Sequence, residues 1–205
     1  MDYNYEKLEK NFRRHGFEVT QVRTREEALS FAQEMLQGAQ VVGFGGSVTL
    51  DEIGVLTWLK TTNKRILDRY EPLITPEERD RVMRETFFAD AFLMSANAVV
   101  ETGALYNIDG TSNRVSALMF GPKKVYVFAG INKIVANDSE AIQRVRTVAA
   151  PRNAKRLNRT TPCVKTGYCV DCLQADRICS IECFQRFCSI PQRIHLILIH
   201  ESLGY

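Results

Sequence analysis

The stretch QVVGFGGSVTLDEIG, residues 40–54, decides the fold. A short aliphatic run enters a turn built from Gly43, Gly45 and Gly46, and hydroxyl residues follow at once. The pattern predicts a buried strand, a tight turn and a helix, with Ser47 and Thr49 as capping residues and Thr49 paired with Glu52 in a capping box. Backbone N–H groups at such a turn attract an anion. The same residues also suit an ordinary strand-to-helix turn with caps. No Gly-Lys-Ser/Thr follows, and the glycine spacing is not GxGxxG, so neither a Walker A loop nor a dinucleotide fingerprint is present.

The same strand-then-helix grammar repeats on both sides. Upstream, residues 5–15 read as a helix ending at Gly16, FEVTQV (17–22) as a strand, and Thr24 with Glu27 as a capping box opening a helix to Gly38. Downstream, KRILD (64–68) is a strand and TPEE (75–78) opens a helix to about Ala89. AFLMSA (91–96) and ALYNI (104–108) are strands, and residues 113–120 form a helix closed by Gly121-Pro122. KVYVFAG (124–130) is a strand, 139–149 a helix stopped at Pro151, and RIHLILIH (193–200) a last buried strand. Alternation of this kind predicts an α/β, Rossmann-like domain spanning residues 1–205: a mostly parallel central sheet with helices on both faces. A cysteine-rich excursion at about 152–191 precedes the last strand.

Composition sets limits. The 205 residues are 45% apolar, enough for one substantial core, and the net charge of +3 gives no pull toward nucleic acid. The opening MDYNYEKLEK has no apolar leader, and the aliphatic run 194–199 is too short for a membrane span. The expectation is a soluble, cytoplasmic protein, where clustered thiols bind metal or do redox work more often than they form disulfides.

Ligands of open α/β sheets sit beyond the carboxyl ends of the strands. Three loops there carry chemistry. The first offers Gly45, Gly46, Ser47 and Thr49. The second, between 95 and 118, places Glu101 near Asn107, Asp109, Gly110, Asn113 and Arg114, a set able to hold and polarise a small anion. Taken singly, Asp109-Gly110 is also a plain turn and Asn113 a plain cap. The third offers Gly130, Asn132 and Lys133. The basic run Arg152, Lys155, Arg156 and Arg159 reads as a solvated face.

All six cysteines lie between 163 and 188. Cys163, Cys169, Cys172 and Cys179 fall within 17 residues around one CxxC pair. Four thiolates so placed suit zinc or an iron–sulfur cluster, although neither a double CxxC nor a ferredoxin spacing is matched. Arg177 and Lys165 are placed to offset the charge of such a centre. IECFQRFCSI reads as a short helical turn, with Cys183 and Cys188 as buried thiols.

VVGFGGSVTLDEIG, ETGALYNIDGTSNRVSAL and FGPKKVYVFAGINKIV together resemble the short single-domain members of the LUD (lactate-utilisation) domain family, as does the TPC…TGxCxDC…RIC tract. The resemblance implies a fold similar to ribose-5-phosphate isomerase and CoA transferases. It implies a small organic anion of the lactate or pyruvate type as ligand, other lactate-utilisation subunits as partners, and a place in an L-lactate-oxidising oxidoreductase system that contains iron–sulfur centres. By analogy with the CoA-transferase glutamate, Glu101 becomes the candidate catalytic residue. A non-enzymatic docking subunit with a structural metal, and a metal-independent isomerase or CoA-transferase-like enzyme, remain as alternatives.

Overall fold

The computed structural model describes residues 4–205; Met1 to Tyr3, the first residues of the MDYNYEKLEK stretch, lie outside the described residues. The first half runs α1 (Tyr5–Arg14), β1 (Glu18–Val22), α2 (Arg25–Met35), β2 (Val41–Phe44), α3 (Val48–Glu52), α4 (Val55–Leu59), β3 (Arg65–Leu67), α5 (Pro76–Glu85) and β4 (Ala91–Met94). The second half runs β5 (Ala98–Val100), β6 (Ala104–Asp109), α6 (Asn113–Phe120), β7 (Val125–Gly130), β8 (Ile134–Val135) and α7 (Asp138–Arg144). It ends with α8 (Ala150–Arg156), α9 (Cys163–Thr166), β9 (Ile181–Gln185) and β10 (Ile194–Ile199).

Six strands form a sheet in the order β1-β10-β7-β4-β2-β3, and every neighbouring pair is parallel. The central strands are apolar at nearly every position, His195 of β10 excepted, because both faces are covered. Alternate residues serve two different cores. Leu196 and Leu198 of β10, Val125 and Val127 of β7, and Phe92 and Met94 of β4 pack on one side, with Leu8 and Phe12 of α1. Ile197 and Ile199, Tyr126 and Phe128, and Ala91 and Leu93 pack on the other, with Ala28 and Ala32 of α2. A one-residue slip would exchange the two cores.

A second, four-stranded sheet, β8-β5-β6-β9, stands beside the first. Strands β5 and β8 are shorter than the sequence pattern resolves. β9 corrects an expectation: IECFQ is a strand and not a helical turn. It pairs antiparallel with β6, placing Cys183 opposite Asn107. β6 has β5 on one side and needs a ladder partner on the other, and the alternation of Phe184, stacked on Tyr106, with Cys183 suits a strand. The cysteine excursion is thereby stitched into the second sheet.

Three further expectations are corrected. Ser47 caps α3 by accepting from Leu50 N, whereas Thr49 is no cap: it lies inside the helix, fully buried. Thr24 accepts from Glu27 N, but the Glu27 carboxylate takes Arg23 N, so only half of that capping box forms. The Thr75–Glu78 box forms completely.

Pro151 does not stop a helix. Residues 145–149 form a π turn in which Ala150 N bonds Val145 O, and α8 continues through the proline. The next bond in that register would need an N–H on residue 151, which proline lacks. The carbonyl thus released, Arg146 O, accepts instead from Cys169 N at 2.7 Å. The proline thereby opens the attachment point of the cysteine segment.

Candidate functional site

The loops that follow β2, β4, β7 and β10 meet above the carboxyl edge of the parallel sheet, since these four strands are neighbours and point the same way. They enclose a polar pocket of ≈ 60 Å³ whose walls include Ser47, Thr49, Ser95, Asn97, Lys133 and Gly204. Parallel strands deliver all their carboxyl ends to one edge, which is why residues far apart in sequence converge here.

Lys133 is the centre of the pocket. It is 3% exposed, and Nζ donates to Ser95 Oγ at 2.8 Å and Thr49 Oγ1 at 2.9 Å. Among the described residues it makes no ion pair. Burial, reinforced by the nearby Arg144 and Arg114 guanidinium groups, pushes its amine down to about 7. A neutral–charged equilibrium at ambient pH is therefore built into the pocket.

Arg114 has a different task. Its Nη1 donates to Ser95 O and Asn107 Oδ1, and its Nη2 to Asn97 Oδ1 and Ile108 O. Nε lies 3.7 Å from Asp109 Oδ2. All four Nη hydrogens are engaged, so Arg114 clamps the loop after β4 to the end of β6 and lends the pocket charge, not hydrogen bonds. Asn107 belongs to the same clamp and is fully buried. Gly45 is required beside it, because a Cβ there would meet Arg114 Cδ at 2.8 Å. At Gly46 a Cβ would run into the Tyr70 hydroxyl.

Gly130 and Asn132 act on the C-terminal tail. Asn132 Oδ1 accepts from Leu203 N and Nδ2 donates to Gly204 O, laying the tail over Lys133. Gly204, at φ +61°, packs against Thr49 and Lys133 Nζ, and any side chain there would enter the pocket.

Glu101 is not brought to this pocket. It lies at the β5–β6 turn, about 13 Å of extended chain from Asn97. There its carboxylate pairs with Lys7 at 2.7 Å, and its carbonyl accepts from Asn11 Nδ2. Asp109, Gly110 and Asn113 lie elsewhere again, on a larger cleft of ≈ 470 Å³ that adjoins the pocket through Gly46, Ile108, Arg114, Asn153 and Arg156. Asp109 Oδ1 accepts from Thr111 N and Ser112 N, and Asn113 Oδ1 from the Thr111 hydroxyl. Of the basic run, Arg152 and Lys155 are exposed, while Arg156 and Arg159 line the cleft.

Sequence reading passed over Ser95, Asn97, Asn153, Gly204 and Tyr205. Ser95 and Asn97 follow a strand's carboxyl end, the one signal that could have found them. The tail residues carry no such mark.

Cys163, Cys169, Cys172 and Cys179 line one small cavity of ≈ 20 Å³, walled also by Thr161, Val170 and Ile178. Among the described residues, no three or more His, Cys, Asp or Glu side chains stand together so as to hold a metal ion, these cysteines included. Burial pushes the Cys179 thiol up, and Arg177, donating to its sulfur at 3.5 Å, pulls the other way. Lys165 is exposed and outside the cavity wall. Cys183 lies on β9, and buried Cys188 packs into the core beside Phe17 and Ile194.

The profile of the LUD domain family matches residues 5–199. The chain belongs to the LUD domain family. Among solved structures, the crystal structure of a DUF162 family protein from Deinococcus radiodurans at 1.70 Å resolution is similar, with a TM-score of 0.56 and 15% identity over 95% of each chain. That likeness speaks for the fold. No curated protein matches the sequence. No helix among the described residues of this LUD domain is long and apolar enough to cross a membrane.

Proposed function

We propose that the Lys133 pocket seats the carboxylate of a small organic anion with a lactate- or pyruvate-like end. In this reading the chain serves lactate-type oxidation as one component of a larger system. The observation that carries it is the Lys133 ammonium, buried against two hydroxyls with no carboxylate paired to it. An unpaired buried cation costs several kcal/mol, and an incoming carboxylate offsets that cost while bonding the hydroxyls and the third N–H. LUD family membership supports the lactate-like end.

Titration of the intact protein with pyruvate and L-lactate, against K133M, tests it. The variant is expected to lose about a hundredfold or more in affinity, the scale of a truncated partner in a buried charge pair. Equal affinity in the two proteins would overturn the assignment.

The proposed metal ligands are Cys163, Cys169, Cys172 and Cys179. Their cavity is on the scale of one ion, which favours zinc; the thiols must draw together to form a tetrathiolate shell, and an iron–sulfur cluster would require the loop to open. A cluster would supply one-electron transfer, zinc a clasp. Arg177 offsets thiolate charge in either case. Metal and acid-labile sulfide content of anaerobically purified protein distinguishes the two.

A docking role is favoured by one observation. Tyr168, Val170, Leu173, Ile181, Phe187 and Ile190 are all exposed around the cysteine tract, and clustered exposed apolar side chains mark interaction surfaces. In this second reading the tract faces another lactate-utilisation subunit. L173E is expected to abolish co-purification with such a subunit and leave pyruvate binding intact.

A further inference from the structure

We infer that the cleft beside the Lys133 pocket is a second anion subsite that takes a phosphoryl or diphosphoryl group. The substrate class is then an acid carrying its carboxylate at one end and phosphate at the other. This deepens the reading of the Lys133 pocket and rests on it for the carboxylate end.

Five arginines converge on the cleft from separate parts of the chain. Arg69 follows β3, Arg79 comes from α5, Arg156 from α8, Arg159 from just beyond it, and Arg177 from the cysteine segment. Among the described residues none of the five is within ion-pair distance of a carboxylate. Arg156 donates to Asn153 and the Tyr205 hydroxyl, and Arg69 to the Tyr70 hydroxyl. The Nε of Arg177 is buried and has no partner.

The two carboxylates on the wall are already engaged. Asp109 Oδ1 accepts from Thr111 N and Ser112 N, while its buried Oδ2 has no hydrogen-bond partner and lies 3.7 Å from Arg114 Nε. Asp176 accepts from Thr160 N and Oγ1. The net charge of the whole chain is only +3, so five guanidiniums against two carboxylates on one concave wall are a local concentration.

Like charges converging in excess of the carboxylates beside them call for an anion of more than one charge, and the planar fork of arginine matches phosphate oxygens two at a time. The cleft, at ≈ 470 Å³, has the size of a small-molecule site. Its shared wall with the Lys133 pocket, Gly46 and Arg156, lets one ligand reach both. Gly46 leaves the passage open, and a side chain there would displace Tyr70.

The test is calorimetric titration of the full chain with pyrophosphate, with pyruvate, and with 3-phosphoglycerate, which carries both groups. The variants are K133M and the double substitution R79A/R159A, both arginines being exposed and free of structural bonds from their guanidiniums. R79A/R159A is expected to weaken pyrophosphate about tenfold or more and pyruvate less than twofold, and K133M to do the reverse. 3-Phosphoglycerate is expected to bind more tightly than either fragment and to lose affinity in both variants. No pyrophosphate binding, or binding that R79A/R159A leaves unchanged, overturns the subsite. Pyrophosphate lost in R79A/R159A while pyruvate fails to bind the unaltered protein supports the subsite and removes the carboxylate end alone.

Discussion

The pocket at the sheet edge and the cysteine segment are built in opposite ways. Most of the pocket's wall hangs from the ends of ladder-bonded strands, with α6 and α8 closing the rest, and the strands beneath, β4, β7 and β10, are buried along nearly their whole length. The segment from Leu157 to Pro191 is mostly loop. Its attachments are points: Cys169 N on Arg146 O, the Arg146–Asp171 ion pair, Cys188 N on His15 O, and the short ladder of β9. One site is set by topology, the other by individual bonds. The first is therefore pre-organised, whereas the second takes its shape from each contact in turn, a bound metal included.

The hardest test of that contrast is the Arg114 clamp. R114M takes a donor from Ser95 O, Ile108 O and the Asn97 and Asn107 side-chain oxygens in a buried setting, where the two amide oxygens keep only Ile108 N and Asn97 N. It is expected to lower stability by about 3–5 kcal/mol in chemical denaturation. A loss below about 1 kcal/mol would mean that the strand ends hold the loops without it.

Lys133 sets the next effect. Its amine lies near 7 when folded, against an ordinary value of 10.5. Between those pH values the unfolded chain binds a proton that the folded chain does not, so stability should rise with pH across that window. The rise is expected to be a few kcal/mol, of the order that a buried lysine gives, and K133M should abolish it. Pyruvate affinity should move the other way, falling up to about tenfold per pH unit above 7 as the ammonium is lost. A flat affinity profile from pH 6 to 9 would remove Lys133 from the binding reaction.

The same contrast explains what the sequence revealed. The parallel sheet was legible because strands buried on both faces, such as KVYVFAG, leave an unbroken apolar run between turn residues. Lys133 and Ser47 were legible for the related reason that they follow such runs. Thr49 was misjudged because a hydroxyl near a helix start has the same local signature whether it caps or turns inward, and the inward choice depends on Lys133 in the turn after β7. Glu101 looked central because the sequence places it between two strands, yet their antiparallel pairing turns it to the opposite end from Asn97. β9 was hidden because its strand character comes from the open edge of β6, not from its own pattern. Spacing alone sets the four cysteines that line the small cavity apart from Cys183 and Cys188.

A smaller effect concerns the cysteine segment as a whole. Replacing Cys163, Cys169, Cys172 and Cys179 by serine removes no ladder bond and no residue of the two cores that sandwich the parallel sheet. The main unfolding transition of metal-free protein is expected to shift by less than about 1 kcal/mol, as for substitutions outside a packed core. Pyruvate binding is expected to persist. A collapse of both would show that the segment is part of the cooperative unit and that the two regions are one.

The smallest change probes the joint between them. P151A restores an N–H at the position where the π turn would use one, and that N–H competes with Cys169 N for Arg146 O. The helix gains about one hydrogen bond, worth roughly 1 kcal/mol, as the loop loses one, so global stability should hardly move. Hydrogen exchange at the Cys169 amide should nevertheless accelerate, because its protection rests on that single acceptor. Faster exchange confined to the segment after Pro162, with the amides of β7 and β10 unchanged, is what point attachment requires. Unchanged protection at Cys169 would mean that the segment is held by the rest of its contacts, and that the proline serves the helix alone.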